Sequence, residues 1–172
     1  TLPCRGPSPA ELLAVGTDMA PALGFDPTFR LEGPIDSLVP DDVGGVLKLI
    51  EPLEADGTLV KRPRELIERE IDRFIVLEHD GFIFGCAALY PFPREKAAEL
   101  ACLTVHPQYQ GYGDGERLMK RIEAKAKAAG IERLFVLTTR TAHFFIKRGF
   151  KPADVDNLPP ARQHMYNWQR RS

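Results

Sequence analysis

Gln110-Gly111-Tyr112-Gly113-Asp114-Gly115 sets three alternating glycines between an apolar run at 100–105, closed by His106-Pro107, and a helical pattern that begins at Glu116. A strand, a glycine turn and a helix start together make an anion site. Successive backbone N–H groups point outward with no side chain in the way, and the helix dipole adds about half a positive charge there. The expected ligand carries a phosphate or pyrophosphate. A plain tight turn has a similar composition, so the spacing must narrow the reading. A nucleotide P-loop ends in Gly-Lys-Ser/Thr, and Glu116-Arg117 stands here instead. A dinucleotide fingerprint is Gly-x-Gly-x-x-Gly with an acidic residue about twenty positions on. This chain has Gly-x-Gly-x-Gly, and the next strand ends in Leu137-Thr138-Thr139.

The pattern Gln-x-x-Gly-x-Gly, from Gln108 to Gly113 after a Val-His-Pro strand end, resembles the pyrophosphate loop of the GNAT acetyltransferases, which bind acetyl-CoA. Phe144-Phe145-Ile146-Lys147-Arg148-Gly149-Phe150 is similar to the helix-to-strand corner of that family, usually Leu-Tyr-x-x-x-Gly-Phe. Further segments resemble the acetyltransferase domain of the bacterial N-acetylglutamate synthases. They are Cys86 to Pro93, Glu99-Leu100-Ala101-Cys102, Gly115-Glu116-Arg117-Leu118, Leu134 to Thr141, and Leu158-Pro159 with Tyr166 to Ser172. The resemblance covers about 41–172. It implies the GNAT fold, a mixed α/β sheet with helices on both faces, and transfer of acetyl from acetyl-CoA to the α-amine of L-glutamate, the first step of arginine biosynthesis. The kinase-like domain that usually precedes it, where arginine inhibits, has no counterpart here, and 1–36 matches no part of the family.

That assignment makes chemical demands. An ammonium group must lose a proton before it attacks a thioester, so a general base is needed within hydrogen-bond or one-water reach. The resemblance puts it at Glu99, on the strand leading to the loop. The departing thiolate needs a hydrogen bond or a proton. The tyrosine many GNAT enzymes use is Phe145 here, which cannot donate, and the synthase pattern instead implies the hydroxyl of Thr138. A dicarboxylate calls for guanidinium forks, which the resemblance implies at Arg62 and at Arg171, or at Arg170 if the register slips by one. The backbone around Cys102 is expected to help hold the substrate, and its thiol is not expected to act as a nucleophile. For acetyl-CoA, the backbone of Leu103, Thr104 and Val105 should meet the pantetheine and acetyl carbonyl. Gln110, Gly111, Tyr112, Gly113, Asp114 and Gly115 should meet the pyrophosphate. His106 and His143 read as structural. Two other readings are open: a GNAT enzyme for a different amine, and a non-catalytic acyl-CoA-binding module.

The elements that must position these residues are readable from 38 onward. Asp41-Asp42 can cap a helix with Val43, Val46, Leu47 and Ile50 on one face, and Pro52 is expected to end it. Pro63 opens a second helix to 70. Strands follow at 73–78 and 82–89 about His79-Asp80-Gly81, a hairpin signal, and at 99–105. A helix over 115–129 turns Leu118, Ile122 and Ala126 inward. Next come a strand at 133–137, a short helix at 142–147, a strand after Gly149, a helical turn in 156–162 and a last strand at 164–168. Prolines crowd 1–36, which reads as a linker or docking segment with room for a helix only at 9–15. Residues 37–172 then form the acetyltransferase domain.

Composition agrees. The chain has 172 residues, 44% of them apolar, enough for one well-buried core. Its 23 basic and 24 acidic residues give a net charge of −1, so no bulk field recruits nucleic acid or membrane. No apolar stretch approaches the roughly 20 residues of a spanning helix, and no secretory signal is visible at Thr1. Cys4, Cys86 and Cys102 lack metal spacing and read as free thiols in a reducing cytoplasm. The four histidines add no metal pattern. The expected partners are acetyl-CoA and L-glutamate, with a homo-oligomer or an upstream regulatory domain left open.

Overall fold

The computed structural model describes residues 12–15, 42–59, 61–138 and 141–164. Its strands are β1 (Leu12–Val15), β2 (Phe74–His79), β3 (Phe82–Phe92), β4 (Ala97–Val105), β5 (Arg133–Leu137) and β6 (Phe150–Pro152). They form a six-stranded sheet in the order β2-β3-β4-β5-β1-β6. Only the β4–β5 pairing is parallel; the other neighbours run antiparallel. The helices are α1 (Val43–Ala55), α2 (Arg64–Arg69), α3 (Asp114–Ala128) and α4 (Ala142–Ile146). The mixed α/β architecture is the one expected.

Each face of the sheet has its own core. On one side α3 buries Leu118, Met119, Ile122 and Ala126 against Leu77, Ala87, Leu89, Ala98 and Leu100, and Phe145 and Phe150 close the end. Gly85 of β3 allows this approach: a Cβ there would come within 3.2 Å of Leu118. On the other side α1 and α2 bury Val43, Val46, Ile50 and Ile67 against Phe74, Val76, Cys86 and Ala88. The β2–β3 hairpin turns on Asp80 and Gly81, both at positive φ (49° and 77°), as the Asp-Gly pair predicts.

β4 carries the feature that shapes the site. Ala88 pairs with Ala101 and Cys86 with Thr104, so Cys102 and Leu103 together face the single Ala87. This is a β-bulge, with Cys102 at φ 54°. A left-handed non-glycine residue costs about 1–2 kcal/mol. The bulge reverses the strand's parity. Before it, Ala98 and Leu100 face α3; after it, Leu103 and Val105 do. β5 pairs with β4 only along Ala97–Glu99 against Arg133–Phe135. Beyond Glu99 the two strands part.

Four expectations need correction. Pro52 lies inside α1, which runs on to Ala55. In the last turn a proline forfeits only its own hydrogen bond, and Asp56 N–H still reaches the Pro52 carbonyl at 3.1 Å. Asp42 is the N-cap residue of α1, but its side chain makes no capping hydrogen bond. β3 extends to Phe92 rather than 89. Residues 12–15 are a strand between β5 and β6, not part of a helix and not apart from the sheet. Leu-Leu-Ala-Val suits either state, and the edges of β5 and β6 decide between them. The last strand expected at 164–168 lies outside the described residues, except His164, which closes a helical turn at 160–164.

Candidate active site

The glycine loop has the backbone that an anion site requires. Gly111 and Gly113 sit at φ 89° and 85°, a region that an L side chain occupies only under strain. Gly113 is the N-cap of α3 without any side-chain cap, so the first N–H groups of a 15-residue helix open onto the loop. Gln110 donates from Nε2 to the Val105 carbonyl at 2.9 Å and ties the loop to the end of β4. Gly115 is needed for closeness rather than for φ, since a Cβ there would come within 3.3 Å of the Phe144 ring. The Asp114 side chain is buried and paired with Arg117 at 2.8 Å, which leaves its backbone for a ligand. Tyr112 is 80% exposed and does not line the cleft.

Two cleft regions meet at this loop. One, of about 490 Å³, is lined by Leu103, Val105, the loop residues, Phe144 and Arg148. The other, of about 350 Å³, lies where β4 and β5 part, between Cys102–Val105 and Val136–Thr138, with Leu49, Pro52 and Leu53 of α1 above. They share Leu103, Val105, Gln110, Thr141 and Phe145 and so adjoin one another. Among the described residues, β4 beyond Glu99 has no partner strand on its β5 side, so its peptide groups are available to a ligand. The floor combines polar strand edges with apolar side chains, as suits a long, thin ligand with amide groups.

At the bulge end stands a cluster of charged and polar groups. Arg62 is fixed just before α2, its own N–H donating to Glu54 Oε1 at 2.8 Å. Its guanidinium hydrogen-bonds Tyr90. Burial works against its charge, but interactions with its acidic neighbours more than offset this, so the guanidinium stays charged. Tyr90 donates its hydroxyl hydrogen to Glu70 at 2.8 Å, and burial with that bond keeps the phenol protonated. Tyr90 and Glu99 are direct cross-strand partners. Glu99 is buried, and its carboxylate is forked by Arg162 at 2.6 and 3.3 Å. Glu99 and Arg62 do not line the cleft themselves; both act on Cys102, which does. Burial pushes the Cys102 thiol up to about 11, with Arg62 opposing, so this sulfur is not a nucleophile at neutral pH. Cys86 is buried and raised as well, and donates to the Cys102 carbonyl at 3.4 Å. Both thiols are free.

Thr138 closes the other wall. It is buried at the end of β5, where its hydroxyl oxygen accepts from the Thr141 N–H at 3.0 Å and shares a 2.7 Å hydrogen bond with the Thr141 hydroxyl. If the Thr141 hydroxyl donates in that pair, the Thr138 hydrogen is free to turn into the cleft. Arg171 and Arg170 lie outside the described residues. Among the described residues no group of His, Cys, Asp and Glu could hold a metal ion.

A family model described as acetyltransferase (GNAT) domain matches residues 70–152. Curated relatives named amino-acid acetyltransferase cover 77% of the chain, at 67% identity in Ralstonia nicotianae and 57% in Azotobacter vinelandii. The chain belongs to the GNAT acetyltransferase family. It spans 29% of the length of the Ralstonia relative and 31% of the Azotobacter one. The structure of N-acetylglutamate synthase from Neisseria gonorrhoeae, complexed with coenzyme A and N-acetyl-glutamate, superposes with a TM-score of 0.76 at 44% identity, over 78% of this chain and 32% of that one. The bulge, the parted strands and the glycine loop all lie within the residues that the family model matches.

Sequence reasoning missed several parts of this site. Tyr90 was within reach, because strand pairing sets it opposite Glu99. Phe144 and Arg148, one helical turn apart, could also have been paired by spacing. The Arg148 guanidinium lies 3.6 Å from the Phe144 ring centroid at the cleft rim. Arg162 had no local signal, since its partner is 63 residues away.

Proposed function

We propose that this GNAT domain transfers acetyl from acetyl-CoA to the α-amine of L-glutamate, the reaction that opens arginine biosynthesis. The observation that carries this reading is the pair of adjoining clefts, which we read as one passage, from the glycine loop along the unpaired edge of β4 to Cys102 with Arg62 and Glu99 beside it. Acetyl-CoA lies along it with its pyrophosphate on the N–H groups of 110–115. Its pantetheine amides pair with Leu103–Val105 as a further strand would, and its thioester sits near Cys102. Arg62 receives one carboxylate of the substrate in a bidentate fork, and Arg171 receives the other. The backbone of Cys102, turned by its positive φ, holds the substrate between them.

Glu99 takes a proton from the ammonium group, directly or through one water. The freed amine attacks the thioester carbonyl, the new C–N bond forms and the C–S bond breaks. The proton left on nitrogen ends on the departing thiolate, which the Thr138 hydroxyl meets with a hydrogen bond. No covalent enzyme intermediate arises, in keeping with a Cys102 thiol that stays protonated. Buried free Cys86 and Cys102 agree with a reducing cytoplasm. Acetyl-CoA consumption with L-glutamate, L-aspartate and L-glutamine tests the reading. Release of CoA should be strong with glutamate and much weaker with the other two. Equal rates with all three would overturn the substrate assignment, and CoA binding without turnover would make the domain a binding module.

A further inference from the structure

The Glu99–Arg162 pair is not part of the passage, yet it fixes the group on which the proposed chemistry depends. Arg162 Nε lies 2.6 Å from Oε2 and Nη2 lies 3.3 Å from Oε1, and the side chains are only 12% and 11% exposed. A buried carboxylate needs a partner to remain charged, and a fork supplies direction as well as charge. It occupies one lone pair on each oxygen and leaves the others to face an amine or a water. The arginine is itself held firmly. Its N–H reaches the Pro159 carbonyl at 2.9 Å, and Gln163 next to it donates to the carbonyls of Asp156 and Leu158 at 3.0 and 2.8 Å. Leu158 is buried with Ala97 and Phe135, the residues that bracket Glu99 in β4 and β5. Arg62 acts on Cys102, which lines the cleft. Arg162 acts on Glu99 alone among the described carboxylates.

We propose that Arg162 is a positioning residue, which aims the Glu99 carboxylate at the substrate amine and influences the reaction only through Glu99. This rests on the reading of Glu99 as the general base. Glu99→Gln, Arg162→Gln, Arg162→Lys and the double variant Glu99→Gln/Arg162→Gln test it, with kcat expressed per CoA-binding site measured by calorimetry, so that unfolded protein is not counted. Arg162→Gln should lower kcat by roughly 10–100-fold, with KM for acetyl-CoA within about twofold of wild type. Arg162→Lys should recover part of the loss, because a point charge attracts the carboxylate without fixing both oxygens. The double variant should be no slower than Glu99→Gln alone, as expected for two residues acting as one unit. Losses that multiply in the double variant, or a rise in the KM for glutamate with kcat unchanged, would overturn the proposal and make Arg162 a direct substrate ligand. Wild-type kcat in Arg162→Gln would also overturn it. Wild-type kcat in Glu99→Gln is a different failure, which removes the base assignment itself.

Discussion

Burial holds the Cys102 thiol at about 11, above its ordinary 9.0, so what this residue presents to the cleft is its backbone, turned at φ 54°. The raised value has a consequence for stability. Below pH 9 the thiol is protonated in both the folded and unfolded chain and contributes nothing to pH dependence. Between 9 and 11 the unfolded chain gives up the proton while the folded protein keeps it, so stability falls as pH rises through that window. The loss is on the order of 2–3 kcal/mol. In urea melts from pH 8 to 11, Cys102→Ala should show a shallower decline than the parent; identical slopes would place the titrating group elsewhere. Arg62 differs in kind, because it is held charged beside Tyr90 and Glu99. Arg62→Lys should raise the KM for glutamate about tenfold or more and leave that for acetyl-CoA nearly unchanged. An unchanged glutamate KM would return Arg62 to a structural role that fastens α2 to α1.

At the scale of elements, the site depends on two strands that part and one helix that points into the gap. The bulge flips the parity of β4, so Glu99 turns away from α3 while Leu103 and Val105 turn toward it, and the cleft opens in the gap where β4 and β5 part. α3 brings its N-terminus to the mouth, with Gly113 as the hinge of entry. A Cβ at Gly113 would meet no atom within 4 Å, so the protein itself has room for one. The objection to a side chain there is the backbone at φ 85° and the space a pyrophosphate needs. Gly113→Val should therefore fold and abolish detectable binding of CoA and dephospho-CoA in calorimetric titrations. Wild-type affinity in that folded variant would reduce the loop to a turn.

For the molecule as a whole, the sheet's continuity is the feature most open to test. β1 lies between β5 and β6 and pairs with both, Leu12–Ala14 against Leu137–Phe135 and Leu13–Val15 against Pro152–Phe150. Both strands carry site residues at their ends, Thr138 after β5 and the Phe144–Arg148 pair just before β6. Deleting residues 1–15 would strip the hydrogen bonds from two strand edges. It should lower the melting temperature by several degrees and weaken CoA binding. An unchanged melting curve would show that β5 and β6 hold the fold without β1.

The parts of this protein that local conformation controls are visible in its sequence. Gly111 and Gly113 mark the loop because only glycine adopts that φ freely, Asp80-Gly81 marks the hairpin for the same reason, and the spacing of Leu118, Ile122 and Ala126 marks the buried face of α3. Each signal depends on a few neighbouring residues. The tertiary structure decided the rest. Nothing at Cys102 announces a bulge, because the strain at that residue is tolerated only once β3 and the two cores constrain the strand from both faces. Leu-Leu-Ala-Val at 12–15 is compatible with helix or strand until the edges of β5 and β6 offer hydrogen-bond partners. Glu99 could be recognised as a candidate base, but the arginine that orients it lies 63 residues away. Which charges meet in the interior depends on how the whole chain buries its apolar surface, and no short stretch of sequence contains that information.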